Sequence, residues 1–342
     1  MHPNPPDLTG ATVAELSETE LLARVFPLLA DARATLVGPG DDAAVVAAPD
    51  GRTVVSTDVL VEDRHFRREW SSGYDVGWRA AMQNLADVAA MGAVPTALVV
   101  ALTLPGDVEV RWVEDLARGL SDAAAPWGAG VVGGDLSGGP AAVVAVTVHG
   151  SLEGRDPVLR SGARAGDLVV HAGVRGRSAA GLAALSAALP ADEATEAARA
   201  GYLRPVAAVD AGVAAARAGA RAMIDVSDGL VRDARRIAAA SGVTLALDEP
   251  LEAFADEAEL LAPVAAALGD PGLGDPGLVR AWILTGGEDH GMLATVPREV
   301  GPPEGFRVVG EVVERSEHEV LVAGEAAARG GGWDHFGGTA RV

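Results

Sequence analysis

Apolar and polar residues follow two different periods along this chain, and their succession predicts helices alternating with strands. A capping box formed by Ser17 and Glu20 opens the first helical run, which extends through Leu29. The pattern that follows predicts strands at 43–48, 53–56, 96–104, 130–132 and 141–149 and helices at 75–91 and 111–125. The longest apolar stretch, Thr96 to Leu104, is far too short to span a bilayer and predicts a buried strand.

A segment rich in glycine, arginine and proline, Ser151 to Gly166, separates this half from a second one. After it the pattern predicts strands at 167–172, 222–225, 243–247 and 282–284 and helices at 178–188, 206–219 and 229–240. Strands and helices in alternation are typical of the α/β class. We therefore expect a two-domain α/β protein, with an N-terminal domain at 1–150 and a C-terminal α/β domain at 151–342.

The composition of the chain agrees with this class and excludes several kinds of partner. Apolar residues make up 49% of the 342 residues and aromatic residues only 4%, so the core must consist mainly of alanine, valine and leucine. The formal net charge of −21 argues against DNA, RNA or an anionic membrane, since these partners need a basic face. Met1 to Gly10 has no signal-peptide pattern, so we expect a soluble protein of the cytoplasm.

Two residue types are missing, and both absences exclude chemistry. Without cysteine there is no disulfide, thiolate nucleophile or cysteine metal site. Without lysine there is no P-loop, no protein-kinase strand lysine and no Schiff base. If the protein handles ATP, it must do so through metal ions, arginine and backbone amides.

Short acidic motifs, most of them glycine-bordered, recur through the chain and suggest such a metal. Carboxylates on tight turns suit Mg²⁺, which binds few protein carboxylates and shares its remaining positions with phosphate oxygens. The six motifs are Gly38 to Asp42, Ser56 to Asp58, Asn84 to Asp87, Gly133 to Asp135, Asp225 to Gly229 and Gly286 to Asp289. Most of them are predicted where a strand ends, which is where ligands of α/β proteins collect.

Each motif also has a structural interpretation. Gly-Asp-Asp at 40–42 can be an ordinary turn, and Ser227 or Asp228 can cap a helix while also serving a phosphate site. Asp87 is the most informative, because an unpaired carboxylate inside an apolar helix is costly. Neither a metal-binding histidine pair nor a nucleophile elbow is present. The recurrence of the motifs, more than any one of them, points to nucleotide-dependent phosphoryl chemistry.

Longer stretches around these motifs resemble one family over essentially the whole chain, in the right order. The matching stretches are 40–45, 56–66 (Ser-Thr-Asp-Val-Leu-Val-Glu-Asp-Arg-His-Phe), 84–93 (Asn-Leu-Ala-Asp-Val-Ala-Ala-Met-Gly-Ala), 133–135, 160–167, 178–182, 224–230 (Ile-Asp-Val-Ser-Asp-Gly-Leu), 286–289 and 333–336 (Trp-Asp-His-Phe). The chain thereby resembles the thiamine-monophosphate kinases, within the ATP-dependent superfamily of aminoimidazole ribonucleotide synthetase and selenophosphate synthetase.

This resemblance implies a role for individual residues. It implies that several Mg²⁺ ions are held around the triphosphate by Asp41, Ser56, Thr57, Asp58, Asp87, Asp135, Asp225 and Asp228. It implies that ATP, the co-substrate, is contacted at Gly134, Asp135, Arg160 and Ser227, and that thiamine monophosphate is bound by His65, Glu288 and Trp333. It also implies homodimers, in which mixed-sheet N-terminal domains form a shared barrel and the C-terminal α/β domain covers the site.

The chain departs from the family pattern at a few positions. Ala86 stands where serine is usual, and Arg177 where aspartate is common. His290 and Gly291 follow Gly-Gly-Glu-Asp where tyrosine and glutamate are commoner. None of these positions is assigned to metal.

The resemblance predicts transfer of the γ-phosphoryl group of ATP onto the phosphate of thiamine monophosphate, which gives thiamine diphosphate and ADP. A phosphate acceptor is largely dianionic at neutral pH, so neither a general base nor a covalent nucleophile is needed. Two alternatives stay open: another ATP-dependent synthetase of the superfamily, and a non-catalytic protein that binds thiamine phosphate or metal. The missing cysteine disfavours selenophosphate synthetase and its hydrogenase-maturation relative.

Overall fold

The computed structural model of the chain describes residues 10–38, 43–269 and 276–328. Two predicted site residues, Asp41 and Trp333, lie outside this part of the chain. Contacts divide the molecule into two compact units. The first contains the described residues up to Val88 together with Val94–Gly154, and the second contains Ala89–Ala93 and the described residues from Arg155 onward.

The helices and strands of the first unit begin near its N-terminus. Its helices are α1 (Glu18–Val25), α2 (Gly73–Ala90, whose last residues belong to the second unit) and α3 (Val110–Ala124). Its strands are β1 (Thr35–Val37), β2 (Val45–Val46), β3 (Val54–Val61), β4 (Val94–Leu104), β5 (Val131–Gly138) and β6 (Val143–Ser151). Short 3₁₀ helices lie at Val13–Glu15, Phe26–Leu28 and Ala125–Trp127.

A four-stranded mixed sheet forms the centre of this unit, in the order β3-β6-β4-β5. β6 is antiparallel to both of its neighbours, whereas β4 and β5 are parallel. Val144, Val146 and Val148 of β6 are fully buried, and the residues between them are only partly buried. The strands therefore present one face to the core and the other towards solvent, as their alternation requires.

The second unit contains more helices and a larger sheet. Its helices are α4 (Arg177–Ser186), α5 (Glu193–Leu203), α6 (Val209–Arg217), α7 (Leu230–Ser241), α8 (Pro250–Ala253), α9 (Ala255–Leu268) and α10 (Pro276–Thr285). Its strands are β7 (Leu168–Ala172), β8 (Ala222–Val226), β9 (Thr244–Leu247), β10 (Gly291–Val296), β11 (Phe306–Val313), β12 (Val320–Val322) and β13 (Glu325–Ala326).

These strands form one seven-stranded sheet in the order β13-β12-β9-β11-β7-β10-β8. Every residue of β7, β8 and β10 is buried, although β8 is the edge strand of the sheet. The mixed α/β class predicted from the sequence is confirmed. β1 and β2 form a separate two-stranded sheet, and within the described residues of this single chain none of the three sheets closes into a barrel. None of the described helices is long and apolar enough to cross a membrane.

The local predictions were right for most elements but missed or misplaced others, and helices α8 and α9 were not predicted. The capping box of Ser17 and Glu20 is present, but α1 ends at Val25 and a 3₁₀ turn follows, since Pro27 cannot continue a helix. Helix α5 was missed, although Asp192 and Thr195 form a capping box at its start.

Another error is the stretch Trp282 to Leu284, which was predicted as a strand and lies in helix α10. Val279, Trp282 and Ile283 are buried while Ala281 is exposed. This is the three-and-four spacing of a helix, and a short apolar run does not reveal it by itself.

A fully buried histidine, His171, lies in β7, between β11 and β10 of the seven-stranded sheet. The His171 ring packs edge-on against Phe254, with ring centroids 5.2 Å apart, and neither ring nitrogen has a hydrogen-bond partner in the described structure. A Cβ atom at position 291 would lie 2.6 Å from Nε2 of His171, so Gly291 makes room for the ring. This accounts for the glycine at that position. Burial, together with the charges of Arg175 and Arg307, lowers the pKa of His171 well below 6.5, so the folded protein holds a neutral imidazole.

The buried imidazole predicts a loss of stability on acidification. Below pH 6.5 the unfolded chain binds a proton at His171 that the folded chain does not, so protonation favours unfolding. We expect the stability advantage of the wild type over His171→Gln to shrink below this pH, by up to about 1.4 kcal/mol per pH unit. Urea unfolding of both proteins at a series of pH values measures this difference. A pH-independent difference would contradict a neutral buried His171.

Candidate functional site

The Ser-Thr-Asp motif of the first unit lies inside a strand and not at its end, contrary to the prediction. Ser56, Thr57 and Asp58 occupy the middle of β3, because the strand continues to Val61 along β6. Ser56 is paired with Val148 and Asp58 with Val146, so both side chains point to the buried face of the sheet. Thr57 points to the opposite face and is exposed.

Ser56 and Asp87 are in direct contact. The hydroxyl of Ser56 donates a hydrogen bond to Oδ2 of Asp87 at 2.6 Å. Asp87 belongs to α2 and is half-buried, whereas its helix neighbours Ala86 and Val88 are fully buried. The helix therefore places a carboxylate against the core-facing side of β3, where a hydroxyl orients it. The two predicted metal ligands lie side by side.

Thr57 and Asp135 share the other face of the sheet. Asp135 of β5 is paired with Ala101 of β4, which is paired in turn with Ala145 of β6 and then with Val59 of β3. Val59 is two residues from Thr57 along β3, so Asp135 and Thr57 point to the same face. The Asp135 carboxylate is exposed, and Ser137 Oγ donates to Oδ2 at 3.4 Å. Strand alternation thus separates Asp135 and Thr57 from Ser56 and Asp58.

The two glycines before Asp135 differ in their surroundings. A Cβ atom at Gly134 would lie 1.9 Å from the carbonyl oxygen of Val100, so the close approach of β4 and β5 requires glycine there. A Cβ atom at Gly133 would meet nothing within 4 Å. The crowding at Gly134 is therefore a sufficient structural reason for this residue.

His65 follows β3 in a tight turn. The backbone N–H of Val61 donates to Nδ1 of His65 at 2.9 Å. The neutral ring must therefore carry its proton on Nε2. The half-buried ring is held by its own strand, which fixes its orientation.

In the second unit, the turn after β8 lies against the Gly-Gly-Glu-Asp turn. The backbone N–H of Glu288 donates to the carbonyl oxygen of Ser227 at 2.8 Å. A Cβ atom at Gly287 would lie 2.5 Å from that same oxygen. Asp225, Ser227, Asp228 and Glu288, all predicted site residues, are therefore brought into one region.

Asp228 belongs to a cluster that sequence reasoning missed in part. Its backbone N–H donates to Oδ2 of the fully buried Asp233 at 3.0 Å. The Arg236 guanidinium spans both carboxylates, and each hydrogen bond measures 2.6 Å. Burial, aided by the negative charge of Asp225, raises the pKa of Asp233 to about 7. Arg236 and the turn thus hold Asp228 in a fixed position.

His290 lies between two predicted site residues. Its Nδ1 is 3.6 Å from Oδ2 of Asp225, and its Nε2 is 3.8 Å from Oε2 of Glu288. Burial by itself would lower the pKa of His290, but the two carboxylates outweigh burial and raise the pKa to about 10. At neutral pH the imidazolium therefore carries a positive charge between Asp225 and Glu288.

Asp289 has a structural role next to Glu288. Its carboxylate accepts from the backbone N–H of Gly176 at 2.6 Å and of Ser178 at 2.8 Å, at the start of α4. Its other neighbour is Arg175, which is fully buried and has Nη1 3.5 Å from Oδ2 of Asp289. Asp289 therefore anchors the turn that carries Glu288.

The remaining predicted residue of the second unit, Arg160, has an exposed side chain in the segment before β7. The departure at Arg177 has a local explanation. Its guanidinium donates to both oxygens of the buried Glu257 of α9, at 2.8 and 3.2 Å. Arginine at this position thus neutralises a buried carboxylate, a role that an acidic residue could not fill.

The oxygen donors fit Mg²⁺ in kind. Hydroxyl and carboxylate oxygens meet at Ser56 and Asp87, and in the second unit the negative charges of Asp225 and Asp228 add to the effect of burial in raising the pKa of Asp233. A divalent cation would relieve this repulsion. Among the described residues no three histidine or acidic side chains already converge as a metal site. The donors present are thus suited to cations whose shell is completed by phosphate and water.

The residues missed from the sequence carry one recognisable signal. Asp233 lies on the apolar face of α7 among Leu230, Ala234 and Ile237, which are all buried. A carboxylate on the apolar side of a helix is also the feature that singled out Asp87 in the sequence. Arg175, Arg236 and His290 have no such signal, because their roles depend on which turns meet in the fold.

Comparison with known proteins gives the family. A model described as AIR synthase related protein, N-terminal domain, matches residues 40–152. A curated relative from Mycobacterium tuberculosis, named thiamine-monophosphate kinase, is 45% identical over 327 residues, which cover 95% of this chain and 93% of the relative.

Solved structures agree with this match. AaThiL complexed with AMPPCP and TMP is similar at a TM-score of 0.74 and 31% identity, over 94% of this chain and 98% of that one. Escherichia coli HypE, a hydrogenase maturation protein, has a TM-score of 0.67 at 19% identity, over 90% of this chain and 94% of that one, and shows the fold alone. The resemblance inferred from the motifs is confirmed: the chain belongs to the thiamine-monophosphate kinase family.

Proposed function

We propose that this protein is an enzyme that phosphorylates thiamine monophosphate with ATP, giving thiamine diphosphate and ADP. The observation that carries the proposal is the 45% identity, over nearly the whole chain, with a relative named thiamine-monophosphate kinase. The AaThiL complex, which contains AMPPCP, an analogue of ATP, together with TMP, supports the same pair of substrates. We place the reaction in the cytoplasm, where ATP is available.

On the ATP side, we assign residues of each unit separately. In the first unit Ser56, Thr57, Asp58, Asp87 and Asp135 are the proposed Mg²⁺ ligands, together with Asp41 outside the described residues, and Gly134 and Asp135 are the proposed ATP contacts. In the second unit Asp225 and Asp228 are the proposed Mg²⁺ ligands, and Arg160 and Ser227 contact ATP. Mg²⁺, when bound, cancels charge between the two polyanions and aligns the acceptor with the γ-phosphorus.

The residues of the chain itself position groups and do not exchange protons. The acceptor oxygen belongs to a phosphate that is already largely ionised at neutral pH, so no base has to remove a proton from it. The Ser56 hydroxyl orients the Asp87 carboxylate, and Arg236 and the backbone of the turn orient Asp228. Arg160 supplies positive charge to the nucleotide in a chain without lysine. Direct in-line transfer is the step that these residues support.

On the thiamine side, we assign His65, Glu288 and Trp333. An aromatic face such as that of Trp333 binds a cationic heteroaromatic ring well, and a carboxylate such as Glu288 complements its charge. The left-handed backbone of Glu288, with φ of 67°, is the kind of strained geometry that functional sites retain.

We also propose that the protein is a homodimer. The solvent face of the four-stranded sheet carries exposed valines, among them Val55 (57% exposed), Val59 (44%) and Val99 (36%). A second copy that covers this face would bury them, and two such sheets together could form the shared barrel. Sedimentation equilibrium measures the mass in solution, and a monomer at micromolar concentration would contradict the proposal.

Product analysis tests the proposed reaction against its rivals. The purified protein is incubated with ATP, Mg²⁺ and thiamine monophosphate, and the products are identified by mass spectrometry. The proposal predicts thiamine diphosphate and ADP in equal amounts. AMP with inorganic phosphate would indicate a synthetase, and binding of thiamine monophosphate without turnover would indicate a non-catalytic protein.

A further inference from the structure

We propose that His290 is a positioning residue, which holds the Glu288 carboxylate beside Asp225 and thereby fixes where the substrate lies relative to the metal-binding turn. This inference rests on the proposed function, in which Glu288 serves thiamine monophosphate and Asp225 serves the metal and ATP.

The first argument is the placement of the ring. Its two nitrogens face two different carboxylates, Asp225 on one side at 3.6 Å and Glu288 on the other at 3.8 Å. The side chain of His290 is 3% exposed, and neither nitrogen has a hydrogen-bond partner among the described residues. Among the described residues, the carboxylates of Asp225 and Glu288 are therefore the groups that the two ring nitrogens face. A small movement of either carboxylate completes a hydrogen bond.

The second argument is the backbone of the turn. Glu288 and His290 both have left-handed conformations, with φ of 67° and 52°. Such conformations are costly for residues other than glycine and persist only where the surroundings enforce them. Here they direct the side chains of Glu288 and His290 to the same side, while Asp289 between them points to the start of α4.

The third argument is how firmly the turn is held. The Glu288 N–H is bonded to the carbonyl of Ser227, and the His290 carbonyl accepts from the N–H of Ala208 at 3.2 Å. Both ends of the turn are thus tied to different elements, at the β8–α7 turn and at the start of α6. The Glu288 side chain is 29% exposed, and its carboxylate lies 3.8 Å from Nε2 of His290, so the ring contacts it from the side of the anchored turn.

Loss of the His290 imidazole is expected to affect the binding of thiamine monophosphate more than that of ATP. A carboxylate misplaced by about 1 Å binds its ligand and aligns it less well. Loss of the imidazole should therefore weaken thiamine monophosphate binding through Glu288, while the KM for ATP changes less, because Asp225 is one ligand among several. A purely structural role would instead lower stability and affect both substrates alike.

A double-mutant cycle separates these outcomes. His290→Asn is the main variant, because asparagine tolerates the left-handed conformation; His290→Gln, which keeps an amide donor near the position of Nε2, is the rescue variant. Each is combined with Glu288→Gln. Affinity for thiamine monophosphate is measured by calorimetry without ATP, next to KM and kcat for both substrates and the urea midpoint of unfolding.

We expect His290→Asn to weaken thiamine monophosphate binding about tenfold in the wild-type background and less than about twofold in the Glu288→Gln background. His290→Gln should recover part of the loss. Equal weakening in both backgrounds, or an equal rise of both KM values, would overturn the inference. If the wild type itself fails to bind thiamine monophosphate, the proposed function is wrong and this inference falls with it. Should His290→Asn not fold, His290→Gly, which also tolerates the left-handed conformation, takes its place in the cycle.

Discussion

Asp87→Asn should lower kcat/KM at least about a hundredfold while the protein stays folded. This corresponds to about 2.7 kcal/mol of transition-state stabilisation. Asparagine keeps the volume of the side chain and can still accept the hydrogen bond that Ser56 donates at 2.6 Å. Asparagine lacks the negative charge with which the Asp87 carboxylate would bind a divalent cation. The expected result is therefore a loss of activity without a matching loss of stability, together with a higher Mg²⁺ concentration for half-maximal rate.

The matched control lies on the same helix. Asp75 is in the first turn of α2, where its carboxylate accepts from the backbone N–H and the hydroxyl of Ser72, at 2.9 and 2.7 Å. Asp75→Asn removes a charge from α2 at a position with a capping role, so kcat/KM should stay within about twofold of the wild type. Steady-state kinetics and thermal unfolding of both variants give the comparison. Near-normal activity of Asp87→Asn would remove Asp87 from the metal site.

Arg175→Met should destabilise the second unit by about 3–5 kcal/mol. The guanidinium is fully buried and donates to the carbonyl oxygens of Ile283, at 3.1 and 3.2 Å, and of Gly286, at 2.5 Å. It is also the cation beside Asp289, whose pKa burial raises and Arg175 pulls down. Methionine fills much of the space but leaves a buried carboxylate without its counter-charge and two carbonyl groups without a donor.

Arg298→Met is the control for this variant. Arg298 donates to Glu311 at 2.8 Å, but both side chains are more than half exposed, at 57% and 55%. Exposed pairs of this kind contribute about 0.5 kcal/mol or less, so its unfolding midpoint should barely move. Urea unfolding of the two variants tests the contrast. Similar midpoints for Arg175→Met and Arg298→Met would show that the buried pair does not hold the turn.

The sequence predicted the class of the fold and most elements because their periods are long and regular. It failed where a short apolar run was ambiguous. Trp282 to Leu284 reads equally as strand or helix, and only the burial of Val279 one turn earlier shows the helical period.

Candidate site residues could be proposed from the sequence, but their geometry could not. Asp87 could be singled out because an unpaired carboxylate inside an apolar helix is costly, and in the structure the Ser56 hydroxyl donates a hydrogen bond to it. The sequence could not show that Asp58 and Asp135 lie on opposite faces of one sheet, since this depends on the register of strands far apart in the chain. Nor could it place His290 between Asp225 and Glu288, because that arrangement exists only once two distant turns meet.

The central claim is that the γ-phosphoryl group of ATP moves intact onto the phosphate of thiamine monophosphate. ATP that carries ¹⁸O at the three non-bridging oxygens of its γ-phosphate tests this claim most directly. Mass spectrometry of the products should show all three labels in the terminal phosphate of thiamine diphosphate and none in ADP, with no labelled inorganic phosphate formed in proportion. Unlabelled thiamine diphosphate, or label that appears only in inorganic phosphate, would contradict the account.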